Sequence, residues 1–323
     1  MTYIYLKMVH MKLQWMLPLA ALLACQTPRE PAAPAALPEL TVLPASQASP
    51  FALPPDFGSY WYQGKAEVSS YDLEQARYGE LRKGEAVLIF VTEDFSRSKQ
   101  VKLDNPAAAG ADKATVLKLN LTKKFLTGVY PYSLMLSVFT PVERGQLPHT
   151  LKTSMSVQEW CGHVFTQLNL RDAGYELRGL SYFESEGDEQ KMLGKALLED
   201  EIWTLIRLQP QALPLGKVQL IPGSLYSRLK HKDIRVQEAE ASRSEEGGIV
   251  TYTLSYPAEQ RSLRIRFRSA FPHEIEGWEE SYPDGMGAAQ LSTRATLRKR
   301  LMLDYWTRNG NDDLPLRAEL GLQ

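Results

Sequence analysis

The chain has 323 residues, 44% hydrophobic and 23% charged, with a net charge of −1. That composition belongs to a globular chain with enough apolar residues for a sizeable core. The near-neutral balance gives no electrostatic footprint for nucleic acid.

The chain begins with an export pattern. Lys12 precedes an apolar run over residues 13–24, which ends in Ala24 before Cys25. A basic start, a short apolar core and a small residue before the cut predict a secretory signal peptide. The run is too short for a mature membrane-spanning helix. Met8 and Met11 suit the start of such a peptide better than Met1 does. Leu22-Leu23-Ala24-Cys25 resembles the bacterial lipobox. The resemblance implies cleavage after residue 24, a diacylglycerol on the Cys25 thiol and an acylated new amine. Several acyl chains anchor a protein firmly, since each buried methylene contributes about 0.8 kcal/mol. Gln26 stands where an aspartate would imply inner-membrane retention, so the expectation is an outer-membrane anchor with a periplasmic or surface-exposed domain. A lipidated Cys25 also leaves Cys161 with no partner for an intrachain disulfide.

Residues 25–56 are rich in proline and alanine and read as a semi-extended tether. Residues 57–323 then read as a single β-rich domain. The segment from Tyr60 to Tyr71 is aromatic and β-prone, and residues 72–84 have strand or turn character ending at Gly84. Residues 86–91 are apolar on both faces, which predicts a central strand covered on both sides. Leu117, Leu119 and Leu121 alternate with Lys118 and Asn120 in a further strand. Strands are also predicted over residues 129–142 and 150–170, with 174–186 as a hairpin partner of the latter.

One helix is predicted over residues 197–208, where Leu198, Ile202, Leu205 and Ile206 share a stripe and Glu199, Asp200 and Glu201 fill the first turn. Strands resume at 249–256, 261–268 and 275–282. Leu297, Leu301 and Tyr305 share a helical stripe, so residues 293–305 read as a second helix. The count is about eight to ten strands. The helices that a parallel βαβ sheet would need are missing. The expected fold is therefore mainly β: a large curved antiparallel sheet or partly closed barrel with one or two packed helices.

The chemistry-bearing residues gather in Gln158-Glu159-Trp160-Cys161-Gly162-His163. On a continuous strand Glu159, Cys161 and His163 share one face, with next-neighbours about 7 Å apart. Three readings follow. The imidazole could activate the thiol as a nucleophile, oriented by the carboxylate. Cys161 and His163 could ligate a metal, with Glu184 and Glu186 supplying further ligands. Or Cys161 packs in the core while His163 bonds a carboxylate or backbone group, which is the reading that the alternation favours. No P-loop, dinucleotide glycine pattern, HExxH or GxSxG occurs, and no cofactor is expected.

The runs Trp61-Tyr62-Gln63-Gly64-Lys65-Ala66-Glu67, Ala76-Arg77-Tyr78-Gly79-Glu80, Val91-Thr92-Glu93-Asp94-Phe95, Gln158 to His163 and Ser181 to Gly187 resemble a family of bacterial lipoproteins of unknown biochemistry. The family often carries the label "septum formation inhibitor Maf". The Ser-Pro-Arg-Arg motif of cytosolic Maf pyrophosphatases does not occur here. The architecture is also similar in outline to periplasmic lipid-handling proteins with a curved sheet wrapped over helices. The combined expectation is a lipid-anchored envelope protein that binds or scaffolds, holding an apolar ligand or an envelope partner. The alternative is an envelope enzyme or metal-binding protein that uses Cys161, His163 and a nearby carboxylate.

Overall fold

The computed structural model describes residues 52–285 and 289–322. The leader, Cys25 and nearly all of the tether lie outside the described residues. After a short helix α1 (Phe57–Trp61) come eight strands. They are β1 (Ala66–Arg77), β2 (Glu80–Ser96), β3 (Lys113–Thr127), β4 (Tyr130–Pro141), β5 (Lys152–Glu159), β6 (Gly162–Arg171), β7 (Gly174–Ser181) and β8 (Glu189–Gly194). A two-residue β9 (Leu197–Leu198), helix α2 (Ile202–Leu208), β10 (Gly216–Ile221) and helix α3 (Ser224–Leu229) follow. The chain ends with β11 (Gln237–Glu246), β12 (Ile249–Tyr256), β13 (Arg261–Arg268), β14 (Ile275–Asp284), β15 (Ala289–Leu303) and helix α4 (Pro315–Glu319).

All fifteen strands form one sheet, in the order β8 to β1 and then β15 to β9. Only β1 against β15 joins strands distant in sequence. Every ladder is antiparallel except the short β9–β10 pair. The two edge strands, β8 and β9, are consecutive in the chain. No ladder joins them. Side chains close the seam instead: Leu193 of β8 packs with Leu198 of β9, Ile221 and Ile234, and Lys191 pairs with Asp233. The expected curved, mainly β sheet is thus the fold, and it stops one hydrogen-bonded ladder short of a barrel.

The interior is filled by α2. All seven of its residues are buried, including Trp203, Thr204 and Arg207. The stripe of Leu198, Ile202, Leu205 and Ile206 predicted one apolar face, but the sheet wraps this helix from every side, so it has no wet face. The helix proper starts at Ile202; Glu199–Glu201 form a 3-10 turn. β12 and β13 alternate as their sequence predicts. Leu263, Ile265 and Phe267 face the core while Arg264, Arg266 and Arg268 stay exposed. The predicted central strand is the middle of β2. It is covered outside by the C-terminal segment, where Leu320 packs with Val68, Val87 and Val91.

Three expectations are corrected. The strand count is fifteen, not eight to ten. The predicted strand over 150–170 is the β5–β6 hairpin, turning at Trp160-Cys161 with Glu159 opposite Gly162. The predicted helix over 293–305 is most of β15 and the turn after it. Its false helical signal has a local cause. The β1–β15 register shifts between Ser70 and Tyr71, so that Arg298 is the extra residue of a bulge. Before the bulge Ala295 and Leu297 face the core. After it Leu301 and Leu303 join the outer cluster. Polar Lys299 stands between Leu297 and Leu301 and leaves the leucines four residues apart with no apolar residue between, which imitates a helical stripe.

Candidate functional site

The hairpin turn changes the standing of the predicted cluster. Glu159 ends β5 with its side chain buried, and its carboxylate accepts the backbone N–H of Cys161 at 2.6 Å. Cys161 is exposed at the turn, not packed in the core. Its thiol titrates above the ordinary range because it bonds to the Glu159 carboxylate, an anion that disfavours thiolate. His163 points outward from β6, between Gln158 on one side and the backbone of Tyr182 on the other. Cys161 and His163 share no hydrogen bond. The three groups do not form the assembled nucleophile that one strand face would have given. One consequence is that Cys161 of the folded protein should be alkylated to completion by a maleimide without denaturant, yet more slowly at neutral pH than an unperturbed thiol. Peptide mass spectrometry over a time course checks this.

Nor do the predicted metal ligands converge. Glu186 lies in the β7–β8 loop and accepts Arg228 Nη1 at 2.7 Å and His231 Nδ1. No group of three His, Cys, Asp or Glu side chains that could hold a metal occurs among the described residues. The Glu186–Arg228–His231 trio lines a seam cavity of about 310 Å³, with the Glu186 carboxylate as the shared partner of the other two.

Among the described residues, α2 fills the concave side of the sheet. Between α2 and the sheet a cavity of about 30 Å³ remains, beside Trp203, Lys123 and Asp200. That is space for about one water molecule. Its lining mixes leucines with the buried carboxylates Glu199, Asp200 and Glu280, and Arg261 donates to Glu199 and Glu280. Elsewhere in the interior Arg207 donates both terminal nitrogens to Glu67 at 2.6 Å.

The larger opening lies in the wall. The β2–β3 ladder stops at Gly84 opposite Phe125. Both hairpins continue beyond that point, β1–β2 to Tyr78-Gly79 and β3–β4 to Gly128-Val129. A cleft of about 1060 Å³ lies at the fork. Its lining reaches the buried side chains of Leu73, Phe125 and Tyr132, and Leu126 and Pro131 flank it. Stacked rings make the floor stiff: Phe125 and Tyr132 lie 5.0 Å apart and nearly parallel. Tyr132 is fixed further by Tyr78, whose hydroxyl lies 2.7 Å from its own, and by Arg77.

The rim of the cleft is charged. Arg298 is held by Asp72, and Arg294 by Glu279. Lys83 and Lys124 stand opposite Glu74 and Glu85 in the ladders, yet neither makes an ion pair among the described residues. The arrangement offers an apolar floor with two uncommitted cations at its edge. Sequence reasoning missed it because a fork between hairpins is a property of where a ladder stops. The one local signal is Gly84, where an added Cβ would lie 2.2 Å from the Lys124 carbonyl oxygen.

No known protein family matches the chain, and no curated protein does. Among solved structures it is similar to a beta-barrel-like protein of a domain of unknown function, DUF1849, from Brucella abortus. The two are 8% identical with a TM-score of 0.43, over 74% of this chain and 98% of that one.

Proposed function

We propose that this protein is a lipid-anchored binding protein of the cell envelope. Its helix-filled sheet is a rigid scaffold, and the β2–β3 cleft takes an anionic amphiphile. The observation that carries this reading is the cleft itself. About 1060 Å³ is the volume class of small-molecule sites. Its apolar floor suits an acyl chain. Lys83 and Lys124 suit a carboxylate or phosphate headgroup. The lipobox-like run ending at Cys25 supports this reading, since a lipid anchor would set such a scaffold where acyl chains are at hand.

The test is titration of the purified protein with cis-parinaric acid, a fluorescent fatty acid. Saturable enhancement of its emission is expected. Lys124→Glu and Leu126→Glu should each weaken binding about tenfold, equivalent to about 1.4 kcal/mol. Non-saturable emission, or wild-type affinity in both variants, would remove the cleft as the site.

A further inference from the structure

The strands alternate in direction, so the β1–β2, β3–β4 and β5–β6 turns and the β7–β8 loop all lie at one end of the sheet. Among the described residues, that end carries six of the fifteen large apolar side chains left exposed to water. Val129 is 80% exposed, Tyr182 74%, Trp160 69% and Leu126 59%, and Tyr78 and Leu81 are about half exposed. They come from four separate turns, and ring contacts link three of those turns. Trp160 stacks on Tyr130, with ring centroids 6.3 Å apart, and Tyr130 continues through Tyr132 to Tyr78. Tyr182 lays its ring on Gly162, where a Cβ would come within 2.6 Å of it. At the opposite end α1 buries Phe57 and Trp61 and Tyr60 packs on Phe271, while Tyr62 and Trp306 stay about half exposed.

We infer that this crown of turn residues docks on a lipid bilayer surface. A soluble domain seldom keeps a contiguous apolar patch without a partner. The crown consists of protruding tips rather than a groove, so it suits a soft, yielding surface better than a peptide. Tyr and Trp, with an apolar body and a polar edge, are the side chains that settle at the headgroup level. The inference rests on the lipid-anchored reading, and the length of chain ahead of the domain permits it. Twenty-six residues separate Cys25 from Ala52, the first described residue. At about 3.1 Å per residue they reach up to roughly 80 Å when extended. The fifteen residues of β3 rise only about 50 Å at about 3.3 Å each. The described chain begins beside α1, at the end opposite the crown, and a span of that length is enough for the domain to lie crown-down on the membrane that anchors it. Leu126 belongs to both crown and cleft, so a docked crown holds the cleft mouth against the acyl chains it would take up.

Cys161 reports on this contact because it is exposed among the crown residues. The full protein, lipidated at Cys25, is labelled at Cys161 with an environment-sensitive fluorophore, and peptide mass confirms the site. It is then mixed with vesicles of phosphatidylethanolamine and phosphatidylglycerol that carry a nitroxide-labelled lipid. The expected result is flotation with the vesicles, a blue shift and loss of emission by quenching. In Val129→Glu/Trp160→Glu, flotation through the Cys25 lipid should persist, while the shift and the quenching disappear. Parinaric acid binding should also persist, since neither residue lines the cleft. Flotation of the wild type with an unquenched, aqueous label would overturn the crown while leaving the anchor. Absence of flotation would overturn both. Undiminished quenching in the double variant would assign the contact elsewhere and overturn the inference.

Discussion

Glu67→Ala should destabilise the protein by about 3–5 kcal/mol, the cost of leaving a buried charge without its partner. Arg207 sits in the last turn of α2 and is fully buried. Its two terminal nitrogens donate to the two oxygens of Glu67, its Nε donates to the Pro272 carbonyl at 2.9 Å, and its guanidinium lies over the rings of Trp61 and Phe90. Burial pushes the Glu67 pKa up, but the Arg207 charge and hydrogen bonds outweigh it and hold the carboxyl below its ordinary range. Without Glu67 the guanidinium keeps one carbonyl and two ring faces. Arg300, 3.6 Å from Glu67, loses its nearest anion on that side as well. Removing both charges is a different experiment. Glu67→Leu with Arg207→Met leaves an apolar core and should recover much of the loss, as replaced buried ion pairs often do. Urea unfolding of the single and double variants measures the difference. A double variant no more stable than Glu67→Ala would mean that shape, not charge, dominates at this place. The pair also carries a pH signature. A carboxyl whose folded pKa is depressed contributes stability that is present above its unfolded value of about 4.5 and lost as the pH falls through the folded value.

Sequence periodicity read the fold best where one face of a strand is wet. β12 and β13 follow their alternation residue by residue, because Thr251, Thr253, Arg264 and Arg266 face outward. It failed wherever the period was interrupted. The β5–β6 turn uses Trp160 and Cys161, neither of which takes the left-handed conformation that marks Tyr78-Gly79 in the β1–β2 turn. With no glycine at the turn itself, the stretch from Ser156 to Phe165 read as continuous. That one error put Glu159, Cys161 and His163 on a common face. The second error arose at the Arg298 bulge, where the apolar stripe of β15 passes from the inside to the outside and polar Lys299 interrupts its alternation. The acidic run Glu199-Asp200-Glu201 was legible as a helix start. Its burial was not, because the partners lie far away in sequence: Arg261, Ser224 and Thr150. The cleft was illegible for the same reason. Lys83 and Phe125 belong to strands that pair for thirteen residues before they part. The place where they part is set by the curl of the sheet.

The largest pH-dependent effect should come from Asp200. It is wholly buried, and its pKa is pushed up to about 7. Burial is the main cause. The Ser224 N–H and hydroxyl donate to the carboxylate and pull its pKa back, neighbouring Glu199 raises it, and Arg261 lowers it. Lys123, also facing this cavity, is itself held below its ordinary range by burial, which weakens it as a counter-charge. The folded state therefore binds this proton more tightly than the unfolded chain, whose aspartate titrates near 3.8. Stability falls as the pH rises from about 4 to about 7, and the cost is complete above that window. At about 1.4 kcal/mol for each pH unit of difference, it amounts to several kcal/mol by neutral pH. Asp200→Asn keeps the shape and an acceptor for Ser224 while removing the titration. The variant should match the wild type near pH 4 and exceed it increasingly up to pH 7, after which the gap stays constant. Guanidinium unfolding midpoints for both proteins across that range test this. A gap independent of pH would show that Asp200 does not titrate in the window, and a wild type that gains on the variant with rising pH would reverse the sign. Asp200 sits at the entry to α2, so the helix that fills the curved sheet is fastened least firmly at the pH where its carboxylate is charged. The amide variant should accordingly also slow hydrogen exchange in Ile202–Leu208 at neutral pH.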